Sequence, residues 1–250
     1  MTAGGVGLAA AGAAGLVAAA QAGPALTALD GVRLRLTPRL AGVGAAGHVA
    51  LTFDDGPVAA STPAFLDVLA GRRWRATFFM LGEEVRRAPG LAAEVAAAGH
   101  EVAVHGDDHR SLLRRGPPAT IEGLRRARDA VGEATGAAPG WFRPPYGVLT
   151  GAALLAAARL DLRPVLWTAW GRDWRAAATP VSIVTDLLAG RVDGGTLLLH
   201  DFAASGSWRA TLAALPLLAD RLAARDLTAG PLADHGIARL QRPPWTTRGR

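Results

Sequence analysis

Five short blocks of this 250-residue chain each place ionisable side chains directly after an apolar run, where a β-strand would end and a loop begin. The blocks are Thr52–Pro57, His105–His109, Arg143–Gly147, Gly171–Trp174 and Leu198–Asp201. Together they supply two histidines four residues apart, two adjacent aspartates, an arginine, a further aspartate and a third histidine. That set of side chains fits a divalent metal site with its own acid and base, which indicates a hydrolase.

A histidine pair and an aspartate pair are the basis of the metal hypothesis. The i, i+4 spacing of His105 and His109 predicts both imidazoles on one face of a helical turn, although Gly106 stands where a metalloprotease has its glutamate base. Asp54 and Asp55 precede Gly-Pro, and the sharp turn predicted there would free both carboxylates. One aspartate would complete a His₂Asp triad with an open position for water, and the other could act as base. The plain alternatives are surface histidines and an ordinary Asp-Gly turn.

Three further side chains could complete the reaction. Arg143 could pair with a carboxylate and lower its pKa, and the two prolines after it stiffen a loop whose N–H groups suit an oxyanion. His200 ends an apolar strand and could act as a general acid, because an unperturbed imidazole titrates at about 6.5. Asp173 could orient that imidazole or pair with an arginine. Three nearby tryptophans are core residues by default, or a sugar platform if exposed: Trp167, Trp170 and Trp174.

From His48 onward, apolar runs with strand character alternate with segments that carry helix-start and helix-stop signals. The predicted strands are Val49–Phe53, Ala76–Leu81, Glu101–Val104, Gly140–Arg143, Pro164–Thr168 and Thr196–Leu199. This order predicts an α/β fold with a parallel sheet and right-handed crossovers. Because candidate functional residues follow at least four strands, a barrel mouth is favoured over an open doubly wound sheet. Pro216 inside the last helical pattern, Trp208–Leu222, predicts a kink or two helices.

Composition limits the classes of protein to consider. Half of the residues are hydrophobic and 19% are charged, which is typical of a globular chain. The net charge of +6 comes from 27 arginines against 21 acids, with no lysine. It reflects either a biased codon pool or attraction to an anionic surface such as a cell wall, membrane or nucleic acid. No basic run with interleaved aromatic residues occurs, so nucleic acid is not an expected partner, and zero cysteines exclude disulfides and thiolate ligands.

The two ends of the chain differ from its middle. Residues 1–46 are rich in Ala and Gly, and the first 29 carry no charged side chain. A degenerate signal or anchor, a helix packed on the domain and a disordered leader all fit this segment, so membrane contact through the N-terminus stays open. We assign residues 47–235 to one catalytic domain and residues 236–250, which are rich in Pro and Arg, to an exposed tail.

In this order and at these strand ends, the five blocks resemble the motifs of the polysaccharide deacetylase family (NodB homology domain, carbohydrate esterase family 4) over about Gly47 to Leu232. The resemblance implies a distorted (β/α) barrel with about seven or fewer parallel strands, and hydrolysis of N- or O-acetyl groups on a carbohydrate polymer. It implies one divalent cation, Zn²⁺ first and Co²⁺, Ni²⁺ or Mn²⁺ as alternatives. We expect a location outside the cytoplasm or at the cell surface, although the N-terminal signal is weak and a cytoplasmic location stays open. Two alternatives are a same-scaffold amidase, deformylase or imide hydrolase on a non-polymer substrate, and a metal-binding protein without catalysis.

Matched residue by residue, the family's motifs imply a role for each block. Asp54 matches the catalytic base, and Asp55, His105 and His109 match the metal ligands. Arg143 matches the arginine that orients the base. The remaining matches are the catalytic acid His200, its support Asp173, the oxyanion-binding backbone of Tyr146, the acetyl pocket at Leu198 and the packing residue Trp174.

Two positions depart from the family's pattern. Gly106 stands where a Ser or Thr is usual, and Trp170 replaces the first aspartate of the fourth motif. Neither change removes a group that would touch the metal. Arg75, which precedes a predicted strand, could be a buried partner of Asp173.

Overall fold

The computed structural model describes residues 15–202 and 205–237. The first 14 residues and nearly all of the predicted tail, 238–250, lie outside the described residues. Residues 15–22 are helical and are followed by a 3₁₀ helix, Gly23–Ala28, and by helix α1, Asp30–Leu36. Within the described ranges, no helix combines the length and the apolar character needed to cross a membrane.

A parallel sheet forms the centre of the fold. Its strands are β1 (His48–Asp54), β2 (Thr77–Met80), β3 (Glu101–Val104), β4 (Trp141–Phe142), β5 (Arg163–Pro164), β6 (Ala169–Trp170), β7 (Thr196–His200) and β8 (Thr228–Gly230). Seven of them follow the order β5-β4-β3-β2-β1-β7-β6, and the short β8 pairs with the start of β1. The seven strands curl into a half-barrel covered by helices, which confirms the predicted α/β barrel.

Local signals explain where the covering helices begin and end. The helices are α2 (Thr62–Gly71), α3 (Gly82–Arg87), α4 (Pro89–Ala97), α5 (Pro117–Thr135), α6 (Gly151–Arg159), α7 (Pro180–Leu188) and α8 (Trp208–Ala223). A proline in the first turn starts α2, α4, α5 and α7, and Thr179 caps α7 through a capping box with Ser182. Gly136 ends α5 in the left-handed conformation. Helix α8 continues through Pro216, so the prediction of two helices there is wrong, whereas the alternative of a kink stays a prediction.

Alternation along β1 decides which side chains face the site. Val49, Leu51 and Phe53 belong to the larger hydrophobic cluster, which joins the sheet to the helices. Because successive side chains of a strand point to opposite faces, Thr52 and Asp54 lie on the concave side. The apolar filling of that side is Ala50, Phe79, Ala103, Trp141, Val165 and Leu232. The polar end of β1 therefore opens onto the concave mouth of the half-barrel.

The short strands depart most from the sequence prediction. Strand β3 has the predicted bounds, and the ends of β1, β2 and β7 differ by one residue. The predicted strand Pro164–Thr168 is instead mainly the link between β5 and β6, where the Leu166 N–H donates to the Leu40 carbonyl at 2.6 Å. Strand β8 was not predicted, because its Thr-Ala-Gly sequence has little strand character by itself.

The segment before β1 packs against the half-barrel. The Thr196 hydroxyl donates to the Gly42 carbonyl at 2.7 Å. Arg33 of α1 is 1% exposed, and its Nε donates to the Trp167 carbonyl at 2.9 Å. These contacts hold Arg33 and Gly42 against the half-barrel, whereas the alternatives for the N-terminal segment and the domain boundary at residue 46 stay predictions.

Candidate active site

Three predicted metal ligands meet at the carboxyl ends of β1 and β3. Oδ1 of Asp55 lies 3.4 Å from Nε2 of His105 and 3.4 Å from Nε2 of His109. The three ligand atoms all lie within 4.8 Å of one another. Oδ1 of Asp55 is buried and has no hydrogen-bond partner among the described residues. In general, catalytic zinc sites have three protein ligands, such as one carboxylate oxygen and two imidazole nitrogens, and keep an open position for water.

Backbone geometry sends the two adjacent carboxylates in different directions. Asp54 is the last residue of β1, whereas Asp55 has a left-handed φ of 83°. This conformation takes Asp55 out of the strand's alternation and brings its carboxylate to the histidines. Burial raises the pKa of Asp55, but the neighbouring imidazoles of His105, His200 and His109 outweigh it and hold that pKa below its usual range.

The two histidines lie on a loop, so the prediction of a helical turn is wrong. His105 directly follows β3, and Gly106 has a φ of 108° that an L side chain rarely adopts. Nδ1 of His105 lies 2.9 Å from the Arg143 carbonyl oxygen, which makes Nδ1 the donor and leaves the Nε2 lone pair for a cation. The His109 ring packs on Tyr146 with centroids 4.4 Å apart. Burial, and then His105, lowers the pKa of His109, so this imidazole is neutral and can ligate.

A buried ion pair stands beside the triad. Nη1 of Arg143 donates to Oδ1 of Asp54 at 2.6 Å, and the two side chains are 0% and 2% exposed. Arg143 also donates to the Thr52 hydroxyl and to the Leu166 carbonyl, both at 2.8 Å. Burial lowers the pKa of Arg143 and Asp54 opposes this effect, so the guanidinium stays charged. The second oxygen of Asp54, Oδ2, lies 3.7 Å from Nε2 of His105 and is therefore next to the candidate cation position.

His200 ends β7 and is the cross-strand neighbour of Asp54. Nδ1 of His200 lies 2.8 Å from Oδ1 of Asp173, and Oδ2 of Asp173 accepts the His200 backbone N–H at 2.8 Å and the Thr211 hydroxyl at 2.9 Å. Burial lowers the pKa of His200, but Asp173, and then Asp55 and Asp54, raise it to about 10. The imidazole therefore holds a proton at neutral pH that it can donate.

Aromatic side chains line the approach to these groups. Trp167, Trp170 and Trp174 form a row with centroid separations of 6.1 and 6.3 Å. Exposure rises along the row from 7% at Trp167 to 46% at Trp174. Tyr146, which has a φ of 60°, is 58% exposed, and Leu198 is buried against Trp167. The row therefore has one end in the core and one that could contact a sugar ring.

Sequence reasoning gave no role to Thr52, Thr211 and Arg33, whose side chains contact site residues. It also gave none to Asp201, whose backbone N–H donates to the Asp54 carbonyl. Thr52 and Asp201 lie inside the five blocks, so their position was a signal that could have identified them. The other two are distant in sequence, and only the folded chain brings them to the site. Arg75, expected beside Asp173, instead pairs with Asp234 at 2.8 Å on the surface.

Two comparisons of sequence identify relatives of this chain. Residues 42–165 match the family model of polysaccharide deacetylases. The chain is 40% identical over 154 residues to a chitooligosaccharide deacetylase of Bradyrhizobium, a match that covers 61% of this chain and 70% of that protein. It is 35% identical over 154 residues to the peptidoglycan-N-acetylglucosamine deacetylase PgdA of Listeria monocytogenes. That match covers 62% of this chain and about a third, 32%, of the Listeria protein.

Solved structures agree with the sequence matches. The family 4 carbohydrate esterase of Streptomyces lividans, determined in complex with acetate, is similar to this chain with a TM-score of 0.67 at 33% identity. The alignment covers 74% of this chain and 92% of the esterase. The similarity in sequence and fold therefore shows that the chain belongs to the polysaccharide deacetylase family, carbohydrate esterase family 4.

Proposed function

We propose that this protein is a metal-dependent hydrolase that removes N-acetyl or O-acetyl groups from a carbohydrate polymer or oligomer. The buried Asp54–Arg143 pair is the observation that supports this most. It leaves one carboxylate oxygen 3.7 Å from the imidazole nitrogen of a candidate metal ligand. A base beside the ligand set can take a proton from a water molecule there.

Asp55, His105 and His109 would hold the cation, with Zn²⁺ as first choice and Co²⁺, Ni²⁺ or Mn²⁺ as alternatives. When bound, such a cation polarises an acetyl carbonyl and lowers the pKa of water. Two features of the chain support the assignment: the unpartnered Oδ1 of Asp55 and the His105 tautomer set by the Arg143 carbonyl. Both prepare ligand atoms to face the cation.

The proton transfers would belong to side chains of this chain. Asp54, paired with Arg143 through Oδ1, would accept a proton from the attacking water. The backbone N–H of Tyr146 would hold the oxyanion that develops on the acetyl group. His200, oriented by Asp173 at Nδ1, would donate its proton to the leaving amine or alcohol oxygen.

The exposed end of the aromatic row favours a sugar over a small amide or imide. Trp174 and Tyr146 present large aromatic faces to solvent, and Leu198 would line the acetyl pocket. The two relatives are named for action on peptidoglycan and chitooligosaccharides, which supports an acetylated amino sugar as substrate. We accordingly propose an extracytoplasmic or cell-surface location, where the +6 net charge suits an anionic wall, with the N-terminal segment as a membrane contact.

Acetate release tests the proposal. Purified protein would be incubated with chitin oligomers, peptidoglycan and acetylxylan, and separately with a cyclic imide and a formamide. Each incubation would be run with and without a chelator, and again after the protein is reloaded with each of the four cations. We expect acetate from at least one amino-sugar substrate, its loss with chelator and its recovery with Zn²⁺. Hydrolysis of a cyclic imide or formamide instead of all three glycans would favour the same-scaffold amidase. Cation binding without any hydrolysis would favour a non-catalytic protein.

A further inference from the structure

Asp201 is a buried carboxyl that the proposed reaction does not use. It directly follows β7 and is 0% exposed. Its Oδ2 accepts a hydrogen bond from the Thr62 hydroxyl at 2.5 Å, while its Oδ1 is buried with no hydrogen-bond partner among the described residues. A buried carboxyl with so few partners costs free energy, so its position calls for an explanation.

The carboxyl of Asp201 lies against the turn that carries Asp54 and Asp55. A Cβ added to Gly56 would come within 2.3 Å of Oδ2 and 2.6 Å of Oδ1 of Asp201, so the glycine backbone rests on the carboxyl. The backbone of Asp201 adds a second contact, because its N–H donates to the Asp54 carbonyl at 3.3 Å. From the neighbouring strand, the Leu81 N–H donates to the Gly56 carbonyl at 3.0 Å.

Thr62 extends this support to the far end of the turn. Its hydroxyl, which donates to Asp201, also accepts the backbone N–H of Val58 at 2.9 Å. Residues 55–58 are therefore held between the end of β7, the start of α2 and the end of β2. Because the left-handed φ of Asp55 belongs to this turn, the direction of its carboxylate depends on where the turn is held.

We propose that Asp201 is a positioning residue that, through Gly56, aims Asp55 at the two histidines and Asp54 at the candidate cation position. The catalytic part of this inference rests on the proposed function, whereas the effect on cation binding can be measured without turnover. Because Asp201 is fully buried behind the turn, it would touch neither substrate nor cation. Without its carboxyl the turn can relax, and Oδ1 of Asp55 then loses its place between the imidazoles.

Two substitutions of Asp201 test the proposal. In Asp201→Ala we expect Zn²⁺ affinity, titrated against a competing chelator, to fall about tenfold or more, as for other groups that orient a ligand. We expect kcat to fall by a similar factor with KM unchanged. Asp201→Asn keeps the shape and the acceptor for Thr62, so both quantities should stay within about threefold of wild type. Thermal unfolding of the metal-free proteins checks that each variant is folded.

Gly56→Ala supplies a matched test of the same contact. Its φ lies outside the left-handed region, so the added Cβ, and not the backbone, is what conflicts with Asp201. Gly56→Ala should lower Zn²⁺ affinity in the wild-type background but cause no further loss when combined with Asp201→Ala, and this non-additivity would link the two residues.

The outcomes separate this proposal from the proposed function. Wild-type Zn²⁺ affinity and kcat in Asp201→Ala, or additive losses in the double variant, would overturn the role of Asp201. A wild-type protein that binds Zn²⁺ but releases no acetate would overturn the proposed function alone, and the affinities would still decide on Asp201. A wild-type protein that binds no divalent cation would overturn both.

Discussion

The half-barrel carries a histidine pair at each end, and the two pairs are built for different tasks. At the carboxyl end, Nε2 of His105 and Nε2 of His109 each lie 3.4 Å from the same oxygen of Asp55. At the amino end, Nδ1 of His48 and Nδ1 of His235 lie 2.8 Å from each other. His48 begins β1, and His235 follows the short 3₁₀ helix Leu232–Asp234.

The two ends differ in which nitrogen atoms remain free. Nε2 of His235 lies 3.1 Å from the Gly42 carbonyl, so it is the donor, and its Nδ1 must accept the Nδ1–H of His48. Burial lowers the pKa of both amino-end histidines, which keeps the rings neutral and the hydrogen bond intact. At the carboxyl end, by contrast, the lone pairs face a carboxylate oxygen that has no hydrogen-bond partner among the described residues. A shared, unpartnered carboxylate therefore indicates a cation site better than two close histidines do.

Replacing one histidine at each end should produce the largest difference in Zn²⁺ affinity and acetate release between the two ends. His105→Ala leaves two of the three ligands, so we expect Zn²⁺ affinity to fall by more than about 100-fold, beyond the loss usual for groups that only orient a ligand. Acetate release should be lost with it. His235→Gln should keep both at wild-type level. Metal analysis after dialysis and the acetate assay measure these effects, and a His105→Ala variant with a full equivalent of zinc would remove the distinction between the two ends.

Substitution of the proposed base, Asp54, tests whether catalysis and cation binding at the carboxyl end depend on different residues. Asp54→Asn should lower kcat by about 10³-fold while the zinc content stays unchanged, because a general base contributes a factor of that order. It also leaves Arg143 buried beside a neutral amide, which should lower the free energy of unfolding by roughly 3 kcal/mol. Acetate release, metal analysis and urea unfolding provide the three measurements.

Asp186→Asn, in a half-buried position of α7, is the matched control for Asp54→Asn and should change none of the three quantities. Normal turnover in Asp54→Asn would contradict its role as base. Loss of zinc from that variant would instead place Asp54 among the ligands and contradict the separate tasks of the two adjacent carboxylates.

The positions of the carboxyl-end groups could be predicted because they depend on a regular feature. The carboxyl ends of parallel strands share one edge, so polar residues after several apolar runs must converge there. The path of the chain between those residues could not be predicted. The spacing of His105 and His109 fits a helical turn and a curled loop equally well, and only the φ of Gly106 separates the two.

The sequence gives even less indication of residues that contact the site from distant parts of the chain. Arg33 reaches the Trp167 carbonyl from 134 positions away, and Thr211 reaches Asp173 from 38 positions away. The amino-end histidines are 187 positions apart and depend on a strand, β8, whose sequence does not predict it. Such contacts follow from the curled shape of the half-barrel and not from local sequence pattern.

The proposed acid, His200, should give a smaller effect at the carboxyl end, which is a change in the pH dependence of kcat/KM. Because Asp173 helps to raise the pKa of His200 to about 10, activity that needs the protonated imidazole should persist at neutral pH and fall as the pH rises through that value. Asp173→Asn removes the charge, so the alkaline limb of kcat/KM should move to lower pH by about one unit or more. A bound cation would lower the pKa of His200 in both proteins, so the test is the shift of the alkaline limb between wild type and Asp173→Asn. An unchanged limb would contradict the assignment of His200 as acid.

The smallest effect is expected at the amino end. The histidine pair there should change the free energy of unfolding and leave turnover unchanged. Burial, and then His48, lowers the pKa of His235 to about 4, whereas histidine in an unfolded chain titrates at about 6.5. Between these values the unfolded chain binds more protons than the folded one. The stabilisation that the neutral His235 ring contributes is therefore complete above about pH 6.5 and is lost as the pH falls toward 4, on the order of 3 kcal/mol over the whole window.

Comparison of wild type with His235→Gln isolates that contribution. His100, whose pKa burial also lowers to about 4, titrates with the same sign in both proteins and cancels in the difference. Urea unfolding at about pH 7.5 and about pH 5 should show that the wild type loses more stability on acidification than the variant, by up to about 2 kcal/mol. Equal losses would show that the amino-end pair is not held neutral by the fold.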